Sequence, residues 1–114
     1  MGLPRPLRLT RSDDFARVRA EGQTHRSRLM LINVAANGLA INRFGVVTGK
    51  KLGGAVVRNR VRRLLREVLR LSQGRLVTGW DLVLVAHPAA VGQSLTEIQR
   101  TFDALASQAG LFRE

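Results

Sequence analysis

The densest chemistry in this sequence is cationic. Lys50, Lys51, Arg58, Asn59, Arg60, Arg62, Arg63 and Arg66 stand close together, and the first acid after them is Glu67. Lys50 and Lys51 are the only lysines of the chain. The other cations are arginines, whose planar fork holds a phosphate through two donors and stacks on a base. Closely placed arginines repel one another, and an external polyanion relieves that repulsion. A phosphate backbone is the obvious one. Groups for acid–base work are sparse. His25 and His87 are the only histidines and fall in separate segments. Asp13 and Asp14 read as acids at the start of a helix, and Asp81 as a turn acid at the start of a strand. None of them forms an acid–base pair or a two-metal carboxylate cluster, so no catalytic and no metal-ligating residue is assigned. Cysteine is absent, which excludes disulfides, thiolate metal sites and cysteine nucleophiles.

The cations need an element to carry them. Residues 58–71 read as a helix. At about 100° per residue, Val61, Leu64, Leu65, Val68 and Leu71 fall in one arc, and Asn59, Arg62, Arg63, Arg66 and Arg70 fall opposite. One face then enters the core while the other presents guanidinium groups. A plain solvated face is the bland alternative, although such a face normally mixes signs. A recognition helix for the DNA major groove is a second alternative. Against it, the preceding segment is a strand and a glycine-rich loop, not the first helix of a helix-turn-helix. The loop Gly49-Lys50-Lys51-Leu52-Gly53-Gly54 is not a Walker A loop, since no Gly-Lys-Ser/Thr opens the helix. Its glycines are read as letting the chain turn.

The remaining elements frame that helix. Pro4 and Pro6 keep the start extended. A first helix begins near Thr10 or Ser12, either of which can cap it, and stops at Gly22. Residues 28–35 form a strand that is apolar on both faces, so something covers each side. Residues 43–48 form the next strand, and the Asn37-Gly38 turn between them predicts antiparallel pairing of the two. Residues 23–26 are compatible with a short edge strand. Residues 81–86 form a third clear strand, stopped by Pro88. Ser94-Leu95-Thr96-Glu97 is a capping box that opens a final helix with Ile98, Phe102, Leu105 and Ala109 on one stripe. The result is a small α/β or α+β sandwich.

At 114 residues the chain is one domain, with fraying expected over residues 1–8 and 111–114. The 19 Lys and Arg against 8 Asp and Glu give a formal net charge of +11, which draws in polyanions and disfavours self-association through the basic face. No apolar run is long enough to span a bilayer, and no signal-peptide stretch follows the N-terminus, so a cytoplasmic location is expected.

The run Lys50-Lys51-Leu52-Gly53-Gly54-Ala55-Val56-Val57-Arg58-Asn59-Arg60-Val61-Arg62-Arg63-Leu64-Leu65-Arg66-Glu67 resembles the signature of the bacterial ribonuclease P protein family. Its heart is the Arg58-Asn59-Arg60 triplet followed by the Arg62-Arg63-Leu64 run. The likeness extends to Asp14-Phe15 in the first helix, to Arg28 before the first long strand, and to residues 80–88. It covers nearly the whole chain.

The resemblance implies an αβββαβα sandwich of the ribosomal protein S5 domain 2-like kind, with a left-handed crossover at the basic helix. It implies a monomeric protein subunit that joins a catalytic RNA, the ribonuclease P RNA, which removes the 5′ leader of precursor tRNA using magnesium ions held mainly by the RNA. Lys50, Lys51, Arg58, Asn59, Arg60, Arg62, Arg63 and Arg66 are then the residues expected to contact that RNA. Phe15, Arg19, Arg28 and Asn33 are expected at a cleft that holds the single-stranded leader. A plain core role for Phe15 stands beside this reading. Members commonly have aromatic residues where Arg19 and Asn33 stand here, Ser at Gly49, Asn at Gly54 and Arg at His87. The cleft of this chain would therefore rely less on stacking and more on charge and polar contacts. A general RNA-binding or ribosomal protein remains the alternative. A self-contained nuclease would need carboxylates or histidines that the sequence does not gather.

Overall fold

The computed structural model describes residues 7–113. The expected extended start at Pro4 and Pro6 lies outside the described residues. Seven main elements follow in the order α1 (Ser12–Glu21), β1 (Gln23–Arg26), β2 (Met30–Ala36), β3 (Arg43–Val47), α2 (Ala55–Ser72), β4 (Trp80–Ala86) and α3 (Leu95–Gln108). This is the expected αβββαβα sandwich. The sheet runs β1-β2-β4-β3, with β2 antiparallel to both its neighbours and β3 parallel to β4.

Alternation along the strands splits the sheet into two faces. Met30, Ile32, Val34, Phe44, Leu82 and Leu84 point to one side and pack with Val61, Leu65, Val68 and Leu69 of α2 and Ile98, Phe102 and Leu105 of α3. Each such side chain contributes roughly 1.5–3 kcal/mol when fully buried, so this layer is the stable body of the protein. The other face carries a much smaller cluster, in which Ala35 and Val83 meet Leu9 and Val18. The short helix α1 covers only part of that face. Phe15, Val47 and Val85 lie half-buried along its margin and leave an open strip of sheet beside it.

Several expectations need correction. Strands β2 and β3 are not paired with each other, because β4 lies between them. β4 is buried on both faces from Asp81 to Leu84, and a strand apolar on both sides belongs in the middle of a sheet, with a neighbour on each edge. Asn42 fixes this arrangement: its amide donates to the Val77 carbonyl at 2.8 Å and accepts from the Trp80 backbone N–H at 2.8 Å. The start of β3 is thereby stitched to the start of β4. Neither Thr10 nor Ser12 caps α1, whose N-cap is Arg11 with no side-chain hydrogen bond. Helix α2 begins at Ala55, ahead of Arg58. Its buried line runs through Val61, Leu65, Val68, Leu69 and Ser72, so Leu71 is 48% exposed and Leu64 only half-buried.

The described residues next to both ends are tied to the body of the protein. Leu111 is buried, its carbonyl accepts from the Val77 N–H at 2.7 Å, and Phe112 forms a β-bridge with Leu76. The Arg75 guanidinium lies 5.0 Å from the centre of the Phe112 ring. At the other end the Leu9 N–H donates to the Phe44 carbonyl at 2.7 Å. The Ser94 cap is as expected, its hydroxyl accepting from the Glu97 N–H at 3.2 Å.

Candidate nucleic-acid interface

The basic surface begins in the approach to α2. Lys50 and Lys51 lie on a one-turn 3-10 segment, Lys50–Leu52, pinned by buried Leu52, and both lysines are exposed. Gly53 follows with φ +134°, a conformation that an L side chain rarely adopts, and this lets the chain reverse into the helix. Helix α2 then starts without a side-chain cap and without an acid in its first turn. The positive end of its dipole is left uncompensated beside Arg58, Asn59 and Arg60.

The cations of α2 divide by what they touch. Arg70 is neutralised by Glu67 through two bonds of 2.8 Å. Arg62 turns back onto the protein, donating to Asn59 Oδ1 at 2.6 Å and to Thr48 Oγ1 at 2.7 Å. It ties the helix to the end of β3 and holds the Asn59 amide, leaving the Asn59 nitrogen outward. Arg58, Arg60, Arg63 and Arg66 make no ion pair among the described residues, nor do Lys50 and Lys51. The Nε of Arg58 is buried without a hydrogen-bond partner. Burial holds the Arg66 guanidinium below its ordinary range, and the charges of Arg8 and Arg62 push the same way. Such a group gains from a nearby anion. Arg60, Arg63 and Arg66 line an open groove of about 870 Å³ together with Arg8, Val56 and Asn59. Arg8 and Val56 were missed from sequence, since nothing in the pattern before α1 places Arg8 beside α2.

The groove continues into the α1 side of the sheet. Arg66 and Phe15 line one small cavity with Arg8, Leu9 and Gly45. Phe15 also lines a second hollow of about 370 Å³ with Ser12, Ala16, Arg19 and Val47. The ring lies on Gly45, where an added Cβ would stand 2.6 Å from it. Phe15 is therefore half-buried, neither a sealed core residue nor a free one. Arg19 is exposed at the cleft wall, and Asn33 is 7% exposed on the cleft floor, its Oδ1 accepting from Thr24 Oγ1 at 2.7 Å. Arg28 is exposed in the β1–β2 turn and lines none of these hollows.

The wall is bolted to the sheet by an ionic cluster that the sequence did not disclose. Asp81 has no exposed surface and is gripped by Arg43 through Nε at 2.9 Å and a terminal nitrogen at 2.7 Å, by Arg17 of α1, and by the Asn37 amide at 2.9 Å. Asp14 stands 3.7 Å from Arg43. Burial raises the Asp81 pKa, but the hydrogen bonds of Arg43 and Asn37 and the charges of Arg43 and Arg17 outweigh it and hold the carboxyl below its usual range. The hydrogen bond to Asp81 raises Arg43 in turn, against its own burial. Asp81 is a structural hub, not a turn acid.

These carboxylates do not fit a magnesium site. Asp81 is saturated by its arginines, Glu67 by Arg70, and Asp103 by Arg75 at 3.1 Å and Gln99 at 2.8 Å. Among the described residues no group of three or more His, Asp or Glu side chains is placed to hold a metal ion. His87 Nδ1 lies 3.2 Å from the Ser27 carbonyl oxygen, a local structural contact. Among the described residues no helix is long and apolar enough to cross a membrane.

Comparison with known proteins agrees with this geometry. Residues 3–110 match the Ribonuclease P family. The ribonuclease P protein component of Roseiflexus castenholzii is 36% identical over 110 residues, spanning 96% of this chain and 90% of the relative. That of Natranaerobius thermophilus is 39% identical, over 93% and 92%. A Staphylococcus aureus RNase P protein superposes with a TM-score of 0.85 at 25% identity, covering 94% of this chain and 98% of the other. A mutant of the S. aureus RNase P protein with defective mRNA degradation activity gives 0.88 at 26% identity, over 95% and 92%. The chain belongs to the ribonuclease P protein family.

Proposed function

We propose that the chain is the protein subunit of a ribonuclease P ribonucleoprotein, binding the catalytic RNA on one surface and the 5′ leader of precursor tRNA on an adjoining one. The observation that carries this reading is the continuity of the two surfaces. The unpaired arginines of α2 run, through the cavity that Arg66 shares with Phe15, into the open strip between α1 and the sheet. Lys50, Lys51, Arg58, Arg60, Arg63 and Arg66 neutralise phosphates of the RNA subunit, and the outward amide of Asn59 reaches a backbone oxygen or a 2′-hydroxyl. Arg62 mainly positions Asn59 and anchors the helix.

In the cleft, Phe15 offers an aromatic ring to a leader base, while Arg19 offers charge and Asn33 a hydrogen bond. Arg28 lies at the edge of this region and serves as a phosphate contact for a leader that continues past the strip. Hydrolysis belongs to the RNA and its magnesium ions in this reading, which is supported by there being, among the described residues, no group of three or more His, Asp or Glu side chains placed to hold a metal ion. The protein acts in the cytoplasm as a monomer apart from its RNA, the net charge of +11 opposing self-association.

The test is cleavage of a leader-bearing precursor tRNA by the cognate RNA at low magnesium, with and without the protein. Stimulated cutting at the mature 5′ end, with none by the protein alone, is expected. Absence of stimulation by folded protein would favour a general structured-RNA binder. Cutting by the protein alone would mean that it carries an active site of its own.

A further inference from the structure

The Asn37-Gly38 turn, which joins β2 to the loop before β3, takes no part in the basic surface. Gly38 is exposed with φ +70°, and a Cβ there would meet no neighbouring atom within 4 Å. Asparagine is a chemically labile residue, and it is most so before glycine, where no side chain obstructs the next backbone nitrogen. Asn37 is only half-buried, so water reaches the turn.

The Asn37 amide is nevertheless held at both of its ends. Its nitrogen donates to Asp81 Oδ1 at 2.9 Å and to the Ile41 carbonyl at 3.1 Å, and its oxygen accepts from the Leu39 N–H at 2.8 Å. The Asn37 backbone N–H donates to the Gly79 carbonyl at 2.9 Å. Asn37 is thereby a strut of the buried Asp81 cluster, which also takes Arg43 and the α1 residue Arg17. Arg17 donates as well to the carbonyl of Ala36, next to Asn37, at 3.3 Å.

We propose that Asn37-Gly38 is a deamidation site that the Asp81 cluster keeps unreacted while the turn is closed, and that its conversion to aspartate breaks the cluster and loosens α1 from the sheet. In the reaction the Gly38 nitrogen attacks Asn37 Cγ and forms a C–N bond, while the Cγ–Nδ2 bond breaks. The side-chain nitrogen leaves as ammonia, with the proton from Gly38. Water then opens the cyclic succinimide. Cleavage of its Cγ–N bond gives aspartate, and cleavage at the backbone carbonyl gives isoaspartate. One water is consumed and one ammonia released, with no oxidant, reductant or cofactor.

Cγ cannot close on the Gly38 nitrogen while the three side-chain bonds hold. Reaction in the native protein therefore waits on local opening of the turn. Each net hydrogen bond lowers the open population about fivefold, and three together lower it about a hundredfold. The product reverses the role of the position. An aspartate at position 37 has no N–H to give, and its second oxygen would face the Ile41 carbonyl and the Asp81 carboxylate, both acceptors. Carboxylates so close repel each other. Arg17 and Arg43 would then have to serve the new carboxylate as well as Asp14 and Asp81. Reclosing does not restore the amide, so the change accumulates with the time the turn spends open.

The experiment incubates the full chain at one mildly alkaline pH and one temperature, folded in buffer and unfolded in guanidinium chloride. Peptide mass spectrometry follows the small mass gain that marks NH2 replaced by OH. Asn33, Asn42 and Asn59, each followed by a bulkier residue, are internal references. Asn37 should outpace them in the unfolded chain and react about a hundredfold more slowly in the folded one. Asn37→Asp, and wild-type chain deamidated in guanidinium and refolded, should exchange the backbone amides of α1 about fivefold faster than the untreated wild type. Asn37→Ser removes the amide without adding a charge and should loosen α1 less.

No mass gain at Asn37 in the unfolded chain, or none faster than at the references, overturns the site. Equal rates in the folded and unfolded chains overturn its protection by the cluster, and this comparison stands whether or not the variants fold. Unchanged α1 exchange in folded Asn37→Asp and in the deamidated wild type overturns the coupling to α1. Loosening as large in Asn37→Ser overturns the part assigned to repulsion.

Discussion

Two groups of arginines in this molecule have opposite fates. Arg17 and Arg43 converge on a carboxylate the chain itself supplies, Asp81, and clamp α1 to the sheet. Arg60, Arg63 and Arg66 line up on α2, and their only acidic helix-mate, Glu67, is already taken by Arg70. Arginine is thus a bolt where the sequence provides the acid and a binding surface where it withholds it. The first group should govern stability and scarcely touch RNA affinity per folded molecule. The second should govern affinity and cost the free protein stability.

The sharpest break in that comparison comes at Asp81. Asp81→Asn removes the charge that two half-buried guanidiniums share, and breaking a buried pair in this way costs on the order of 3 kcal/mol. Urea unfolding should show a clearly lower midpoint with a similar slope. A loss under about 1 kcal/mol would refute the hub reading, since surface pairs are worth no more than that. Because the folded-state pKa of Asp81 is depressed, its contribution is fully present above the unfolded carboxylate value and is lost as pH falls through the folded one. Wild-type stability should therefore fall below about pH 4, and Asp81→Asn should fall less steeply over that window.

The second group is tested through RNA. Arg60→Ala with Arg63→Ala should weaken binding to the RNA subunit and flatten the dependence of log K on log salt by roughly 1 per lost phosphate contact. The free double variant should unfold no more easily than the wild type. An unchanged salt slope would mean that these side chains are a solvated face.

The legibility of these two groups from sequence differed for a physical reason. The α2 surface is local: its residues are three and four apart on one helix, so period alone reveals them. The Asp81 cluster is assembled by topology, from the start of β4, the start of β3, the end of β2 and α1. It could be found only once β4 was known to lie between β2 and β3, and the Asn37-Gly38 turn pointed to the wrong pairing. One local signal was available, an acid followed directly by an uninterrupted apolar run from Leu82 to Ala86. The cleft fell between these cases. Phe15 and Asn33 were picked out by resemblance, but the Gly45 platform under one and the Thr24 clamp on the other needed coordinates. Arg28 was picked out the same way, and the structure sets it apart from the hollows at Phe15.

The finest probe of the comparison is an anion small enough to bind without RNA. If the α2 face is held together against its own repulsion, sulfate should bind the native state and raise the melting midpoint. At ten times its dissociation constant the gain is about 1.4 kcal/mol, a few degrees for a chain of this size. Sodium chloride at equal ionic strength should raise it less, since screening alone provides no bidentate acceptor. The Arg60→Ala, Arg63→Ala double variant should lose most of the sulfate-specific part. Asp81→Asn should keep at least the wild-type response, because the α2 arginines that hold the sulfate lie in a separate cluster. A sulfate response equal in the wild type and the double variant would place the anion elsewhere. The division between arginines that bolt and arginines that wait would then fail on α2, although the Asp81 half of it would stand.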